Sequence, residues 1–269
     1  MSKRDIKAVA RERFAEAEAA NTDIIGQRAT DVPLVVRGLL EAIDERAPAG
    51  ARVIELGFGS GWLLEELASQ ARDRQLAALD MSPGFARAAH GRYGDRVRVL
   101  LGDMERLPFR DGALDVAVTC WTLYFMRDID ATLEEIKRCL APGGRLVAAT
   151  SAREHEAEAN QLVADAVRHA LGRNVSDEEL DVGRRFDLES GEALARRHFA
   201  NVEIRRWQGQ MVLSVAEVAS MWKKWEPALL SKIEQDTARA AFLRLLQERF
   251  GSDGSLTIRR REGAFVCDL

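Results

Sequence analysis

Three glycines, Gly57, Gly59 and Gly61, alternate behind the apolar, β-branched run Val53-Ile54-Glu55-Leu56. An amphipathic helical pattern starts at Trp62. A glycine turn between strand and helix lets backbone approach a ligand closely, because no Cβ stands in the way. The helix start adds free N–H groups and the positive end of a dipole. Dinucleotide binding asks for G-x-G-x-x-G, but Trp62 occupies the last position. The pattern E-x-G-x-G-x-G therefore points to a nucleoside cofactor other than NAD. Two carboxylates belong with the turn. Asp80 ends the second apolar run, where a carboxylate can accept hydrogen bonds from a ribose diol. Asp103, in Leu101-Gly102-Asp103-Met104, ends the third, where it can accept from an adenine amino group while Met104 packs on the base. Each aspartate taken singly is also an ordinary turn residue.

The elements that must position these groups alternate. Strand-like segments at 52–56, 75–79, 97–101, 114–119 and 145–150 are separated by helical patterns at 62–71, 83–92 and 129–140. That alternation predicts a Rossmann-like, doubly wound α/β fold, with a mostly parallel sheet covered on both faces. Upstream, residues 3–20 read as a charged, alanine-rich helix. Residues 31–46 read as a second helix, with Asp31 as N-cap and Pro33 in its first turn. Downstream, helices are expected at 154–171, 189–198, 214–225 and 229–250, and a strand at 202–207. Residues 256–260 and 263–268 read as a closing hairpin, with Arg259-Arg260-Arg261 in a solvated turn. We read one domain: a helical cap over 1–48, a cofactor core over 50–150, and an acceptor-side elaboration over 151–269 with a helical insertion at about 213–250.

Composition narrows the function. A net charge of −4 over 269 residues argues against a broad nucleic-acid face. Cys120, Cys139 and Cys267 lack metal-ligand spacing, so no metal site is expected and a reducing cytoplasm is the simplest location. No run approaches the ~18 apolar residues of a membrane span. The assembly is left open, with room for a homodimer.

Together these segments resemble the class I S-adenosyl-L-methionine (SAM)-dependent methyltransferases, of the small-molecule, ubiquinone/menaquinone-methyltransferase-like type. The resemblance rests on VIELGFGSG, LAALDMSP, LLGDMERLPF, LDVAVTCWTLYFM and LAPGGRLVAAT, in order over about residues 50–150. It implies a seven-stranded sheet with an antiparallel C-terminal strand. It implies that Gly57, Gly59 and Gly61 admit the methionine part of SAM and that Glu55 orders the turn. Asp80 would hold the ribose, Met81 would lie along the adenine, and Asp103 with Met104 would define the adenine pocket. Thr119, Cys120 and Trp121 would lie near the sulfonium, with Phe14 over the cofactor where relatives carry a tyrosine.

The implied reaction is methyl transfer to an O, N or C nucleophile of a small molecule, leaving S-adenosyl-L-homocysteine (SAH). Where relatives carry a histidine pair after the fourth strand, this chain has Tyr124 and Phe125. Tyr124 and His155 are then the candidates for acid–base work on the acceptor. Three alternatives stand beside this reading. One is other chemistry on the same fold, one is an RNA or protein methyltransferase, and one is a non-catalytic SAM-binding subunit. Thr119-Cys120-Trp121-Thr122 lacks the N-P-P-Y pattern of base methylation.

Overall fold

The computed structural model describes residues 6–8, 20–70, 73–174, 176 and 181–269. The predicted helix at 3–20 and Phe14 therefore fall largely outside the described residues, apart from a helical stretch at 6–8. In chain order the elements are α1 (Ala20–Arg28), α2 (Val32–Asp44), β1 (Ala51–Leu56), α3 (Trp62–Ser69), β2 (Arg74–Asp80), α4 (Pro83–Tyr93), β3 (Arg98–Leu101) and β4 (Leu114–Cys120). They continue with α5 (Ile129–Cys139), β5 (Leu140–Ser151), α6 (Ala157–Leu171), α7 (Gly191–His198), β6 (Asn201–Ser214), α8 (Val215–Ser220), α9 (Trp222–Trp225), α10 (Lys232–Phe250) and β7 (Ser255–Asp268).

The sheet has seven strands in the order β3-β2-β1-β4-β5-β7-β6. Pairing is parallel from β3 to β5, whereas β7 runs antiparallel to both β5 and β6. The strand order reverses between β1 and β4, the position at which open α/β sheets bind ligands beyond their carboxyl edge. One face is closed by α2, α3 and α4, whose Leu39, Ile43, Leu63, Leu64 and Leu67 meet Val53, Val116 and Val118. The other is closed by α5 and α7, where Leu133 and Ile136 meet Ile54, Leu56 and Phe265. Local signals start several helices: Ser82 Oγ and Asp128 Oδ1 accept from Phe85 N at 3.4 Å and Ala131 N at 2.9 Å. Capping boxes at Ser214/Glu217 and Ser231/Glu234 open α8 and α10.

Two expectations are corrected. Asp31 does not cap α2 with its side chain. It is fully buried and its carboxylate accepts from Arg260 Nε at 2.9 Å. The closing hairpin is instead one strand, β7, paired with β6 from Asn201↔Asp268 to Ser214↔Ser255. Gly263, which suggested a turn, is a site of close approach. A Cβ there would lie 2.6 Å from the Arg205 carbonyl oxygen and 2.7 Å from Leu188 Cδ1. The arginine run obeys strand alternation, with Arg260 buried and Arg259 exposed. The far halves of β6 and β7 run past the edge of β5. There Met211, Leu213 and Ile258 form a third core with α6, α8 and α10.

Because the contact at Gly263 is with backbone, the neighbour cannot step aside. Gly263→Ala should lower unfolding stability by about 1–3 kcal/mol, as overpacking does. Gly143→Ala meets no atom within 4 Å but places a side chain at a φ of 75°. The two urea midpoints should both fall, and trimming Leu188 should leave most of the Gly263 loss in place, because the Arg205 carbonyl remains.

Candidate functional site

The carboxyl ends of β1, β2 and β4 converge on the glycine turn. Gly57, Gly59 and Gly61 all have positive φ, at 69°, 53° and 79°. Gly57 is also sterically confined, since a Cβ would lie 2.4 Å from Thr122 Cγ2, whereas a Cβ on Gly59 would enter open space. Asp80 braces the turn: Gly59 N–H donates to its Oδ2 at 2.9 Å and Ser82 N–H to its Oδ1 at 2.8 Å. Burial pushes the Asp80 carboxyl above its ordinary range, against the pull of these N–H groups. Each oxygen keeps a lone pair with which to accept from a diol.

Glu55 stands beside Asp80 and is 1% exposed. Burial first, then the charge of Asp80, pushes its carboxyl up to about 8. Among the described residues its Oε2 has no hydrogen-bond partner, and neither does Thr119 Oγ1 on β4. Thr119 is registered against Leu56, one residue past Glu55, so the two orphaned atoms lie at the same carboxyl end of the strands but on opposite faces of the sheet. Buried polar atoms left unpaired in a folded chain call for an explanation, and a ligand supplying the missing partners is one.

The adenine-side residues are arranged differently from each other. Met81 is partly exposed, while Met104 is buried in the core under β1 and β2. The Asp103 carboxylate accepts from Lys7 Nζ at 2.5 and 2.6 Å, and Lys7 also pairs with Glu105 at 2.6 Å. Lys7 is itself buried, so the N-terminal stretch lies against this side of the edge.

Beyond β4, Trp121 takes a left-handed φ of 51°, which is uncommon for a bulky residue. Its ring lies 5.6 Å from that of Trp62. Its Nε1–H donates to Glu262 Oε2 at 2.9 Å and to Ser151 Oγ at 3.2 Å, and Ser151 Oγ donates to the same Glu262 oxygen at 2.8 Å. Cys120 is buried between the two acids. Burial, then the charges of Glu55 and Glu262, push its thiol well up.

Behind Trp121 lies a network of buried charge. Arg260 pairs with Asp31 at 2.9 Å, Glu156 at 2.5 Å and Glu262 at 2.7 Å. Glu156 also accepts from Lys224 and from Trp225 Nε1–H, the latter at 2.6 Å. His155 joins it: Nδ1 accepts from Arg261 N–H at 3.1 Å, and Nε2 lies 3.1 Å from Glu156 and 3.4 Å from Glu262. Burial would raise the Glu156 carboxyl, but Lys224, His155 and Arg260 together hold it well below its ordinary range.

The geometry thus gathers Glu55, the three glycines, Asp80, Thr119, Cys120 and Trp121 at one edge, with His155 in the charged layer behind it. Tyr124 sits on the turn after β4, its ring 4.7 Å from Phe125 and its carbonyl accepting from Arg185 at 2.5 Å. Asp31, Ser151, Glu156, Arg260, Glu262 and Lys7 escaped sequence reasoning. Their pairing joins distant segments, and the inward face of Arg260 and Glu262 is set by the pairing of β7 with β6.

Residues 54–148 match the family model described as a methyltransferase domain. The malonyl-(acyl-carrier protein) O-methyltransferase of Geobacter sulfurreducens is 28% identical over 174 residues, 63% of each chain. The demethylmenaquinone methyltransferase of Thermus thermophilus is 36% identical over 106 residues, 38% of this chain and 47% of its own. The matches span from 36% to 63% of the length of the curated relatives first in similarity. Among solved structures, the YcgJ protein of Bacillus subtilis superposes with a TM-score of 0.54 at 14% identity, over 86% of this chain and 98% of its own. That likeness carries the fold.

Removing Arg260 would leave three carboxylates buried against one another. Arg260→Leu should cost about 3–5 kcal/mol in urea unfolding, as breaking a buried ion pair does. Glu156 has a depressed folded pKa, so its contribution is present above the ordinary glutamate value and is lost as pH falls through the folded value. Stability measured from pH 5 downward should fall more steeply in the wild type than in Glu156→Gln.

Proposed function

We propose that this chain, whose residues 54–148 match a methyltransferase domain, is a class I SAM-dependent methyltransferase that binds SAM over the carboxyl edge of β1, β2 and β4 and passes the methyl group to a small-molecule nucleophile, free or carrier-linked. One observation carries the placement of the cofactor. Glu55 is an acid with an unpartnered buried oxygen, pushed up to about 8, directly before a glycine turn that leaves open space at Gly59. An amino-acid ammonium placed there supplies the missing partner. The backbone of the turn meets the methionine part, and Asp80 accepts from the ribose hydroxyls. Thr119 and Trp121 border the sulfonium end. An aromatic face there favours a cation.

SAM supplies an activated methyl group. What this chain adds is alignment, a dry pocket and a fixed arrangement of charge. Asp80 is held by two backbone donors before any ligand arrives, so its oxygens are already oriented. Trp121 is held by two side chains on β5 and β7. A methyl acceptor would approach from the side of β4, β5 and the segments that follow β5. The match to relatives named for malonyl-(acyl-carrier protein) and for demethylmenaquinone supports a small acceptor, free or carrier-linked.

Calorimetry tests the assignment. SAM and SAH should both bind. Near pH 7 Glu55 is mostly protonated, and pairing with an ammonium favours its charged form, so SAM binding should release a proton. The binding heat should therefore vary with the ionisation enthalpy of the buffer. Glu55→Gln should lose that dependence, and Asp80→Ala should weaken both ligands by about tenfold or more, the loss of charge-assisted hydrogen bonds. Absence of binding at high micromolar ligand would refute the cofactor reading. A product heavier by 14 mass units in an acceptor screen would establish turnover.

A further inference from the structure

The described residues contain two non-glycine positions with positive φ, Trp121 and Glu156. Both put their side chains into the same buried charge network. Such conformations are strained and persist where the surroundings over-determine them, commonly at functional sites. The network reaches the cofactor edge at one point, where Glu262 Oε2 receives Trp121 Nε1–H and Ser151 Oγ–H. Trp121 and Ser151 are partly exposed, whereas Glu262, Glu156, Asp31 and Arg260 are buried behind them. Across Cys120 from this point, Glu55 Oε2 is buried and without a hydrogen-bond partner among the described residues, which independently marks the space before it for a ligand.

The two oxygens of Glu262 face different ways. Arg260 reaches Oε1 at 2.7 Å, and His155 Nε2 lies 3.4 Å from the same oxygen. Oε2 is turned toward the β4 end, where it accepts from the neutral donors Trp121 Nε1–H and Ser151 Oγ–H. The cations of the layer thus meet Glu262 from behind, and its Oε2 end is presented to the cofactor edge.

We propose that Glu262, presented through Ser151 and Trp121, is the negative pole of the acceptor pocket, and that it selects a neutral protic nucleophile, an amine or a hydroxyl, over an anionic one. This rests on the reading that the glycine turn binds SAM. Methyl transfer moves one positive charge. The nucleophile's lone pair forms the new bond to carbon, the C–S bond breaks with its pair left on sulfur, and the charge arrives on the nucleophile. A fixed negative pole on the acceptor side stabilises that arriving charge in a poorly solvated site. The nucleophile then sheds its proton to Ser151 Oγ as the Ser151 proton passes to Glu262. A carboxylate acceptor, such as the free end of a malonyl group, would instead be repelled by the same pole.

The pole can be read without an acceptor. Sinefungin, the cofactor analogue with an ammonium in place of the transferable methyl, carries a cation where the arriving charge would stand. SAH lacks it. By calorimetry on the full chain, sinefungin should bind about tenfold or more tightly than SAH. Glu262→Gln should erase that preference while leaving SAH affinity unchanged. A wild-type protein that binds the two equally overturns the proposal, and so does a Gln variant that keeps the full preference. If the Gln variant loses both ligands together, Ser151→Ala decides. Losing the Ser151 donor exposes the Glu262 oxygen, so the preference should rise several-fold, and an unchanged ratio overturns the proposal. Failure of the wild type to bind either ligand would refute the cofactor reading itself.

Discussion

A single guanidinium shared among three buried carboxylates is the constraint on which the acceptor side depends. Arg260 is about as buried as the acids it meets. Burial alone would lower its pKa, and the charges of Glu262, Glu156 and Asp31 raise it instead. Ions taken out of water are tolerated only when paired and hydrogen-bonded. The acids come from distant parts of the chain: Asp31 precedes α2, Glu156 precedes α6, and Glu262 lies on β7. The pairing therefore cannot form until the N-terminal part, the sheet and the segment after β5 are in place together. Gly209 shows how closely they must fit, for a Cβ there would lie 2.6 Å from Asp31 Cβ.

The same network tethers the helical insertion to the sheet. Lys224 and Trp225 on α9 both reach Glu156. Because Glu156 takes a left-handed φ of 52° immediately before α6, the network fixes the angle at which that helix leaves β5. Helix α6 then packs on α10 through Leu162, Val163 and Val167 against Phe242 and Leu245. Any shift of the insertion is thereby transmitted to the carboxylates behind Trp121, with no need for a moving hinge in the sheet.

The legible part of the molecule was local. Glycine spacing, apolar periods and an aspartate at a strand end are properties of a few adjacent residues, and they were enough to read the core from β1 to β5. Asp31 was misread because an aspartate just before Pro33 satisfies every local rule for an N-cap, while its partner lies 229 positions away. Gly263 was misread because a glycine beside charged residues has the composition of a turn, and only the neighbouring carbonyl of Arg205 shows that a flat strand needs it. Glu262 had no local signature. An acid within an arginine-rich run reads as solvent-facing until the pairing partner β6 sets which face is inside.

The two acids flanking Cys120 differ in how they are held, and the difference has a chemical consequence. Among the described residues no cation stands beside Glu55, so burial keeps it largely neutral near pH 7 and ready to ionise against a ligand. Glu262 has Arg260 at 2.7 Å and two neutral donors, so its orientation is set before anything binds. One end of the pocket thus adjusts to its ligand and the other end does not. A reaction that carries positive charge from one end toward the other gains from a pole that is already oriented, because no reorganisation is required as the charge arrives. That arrangement can serve in place of the imidazoles absent after β4, since it addresses the charge on the nucleophile as well as its proton.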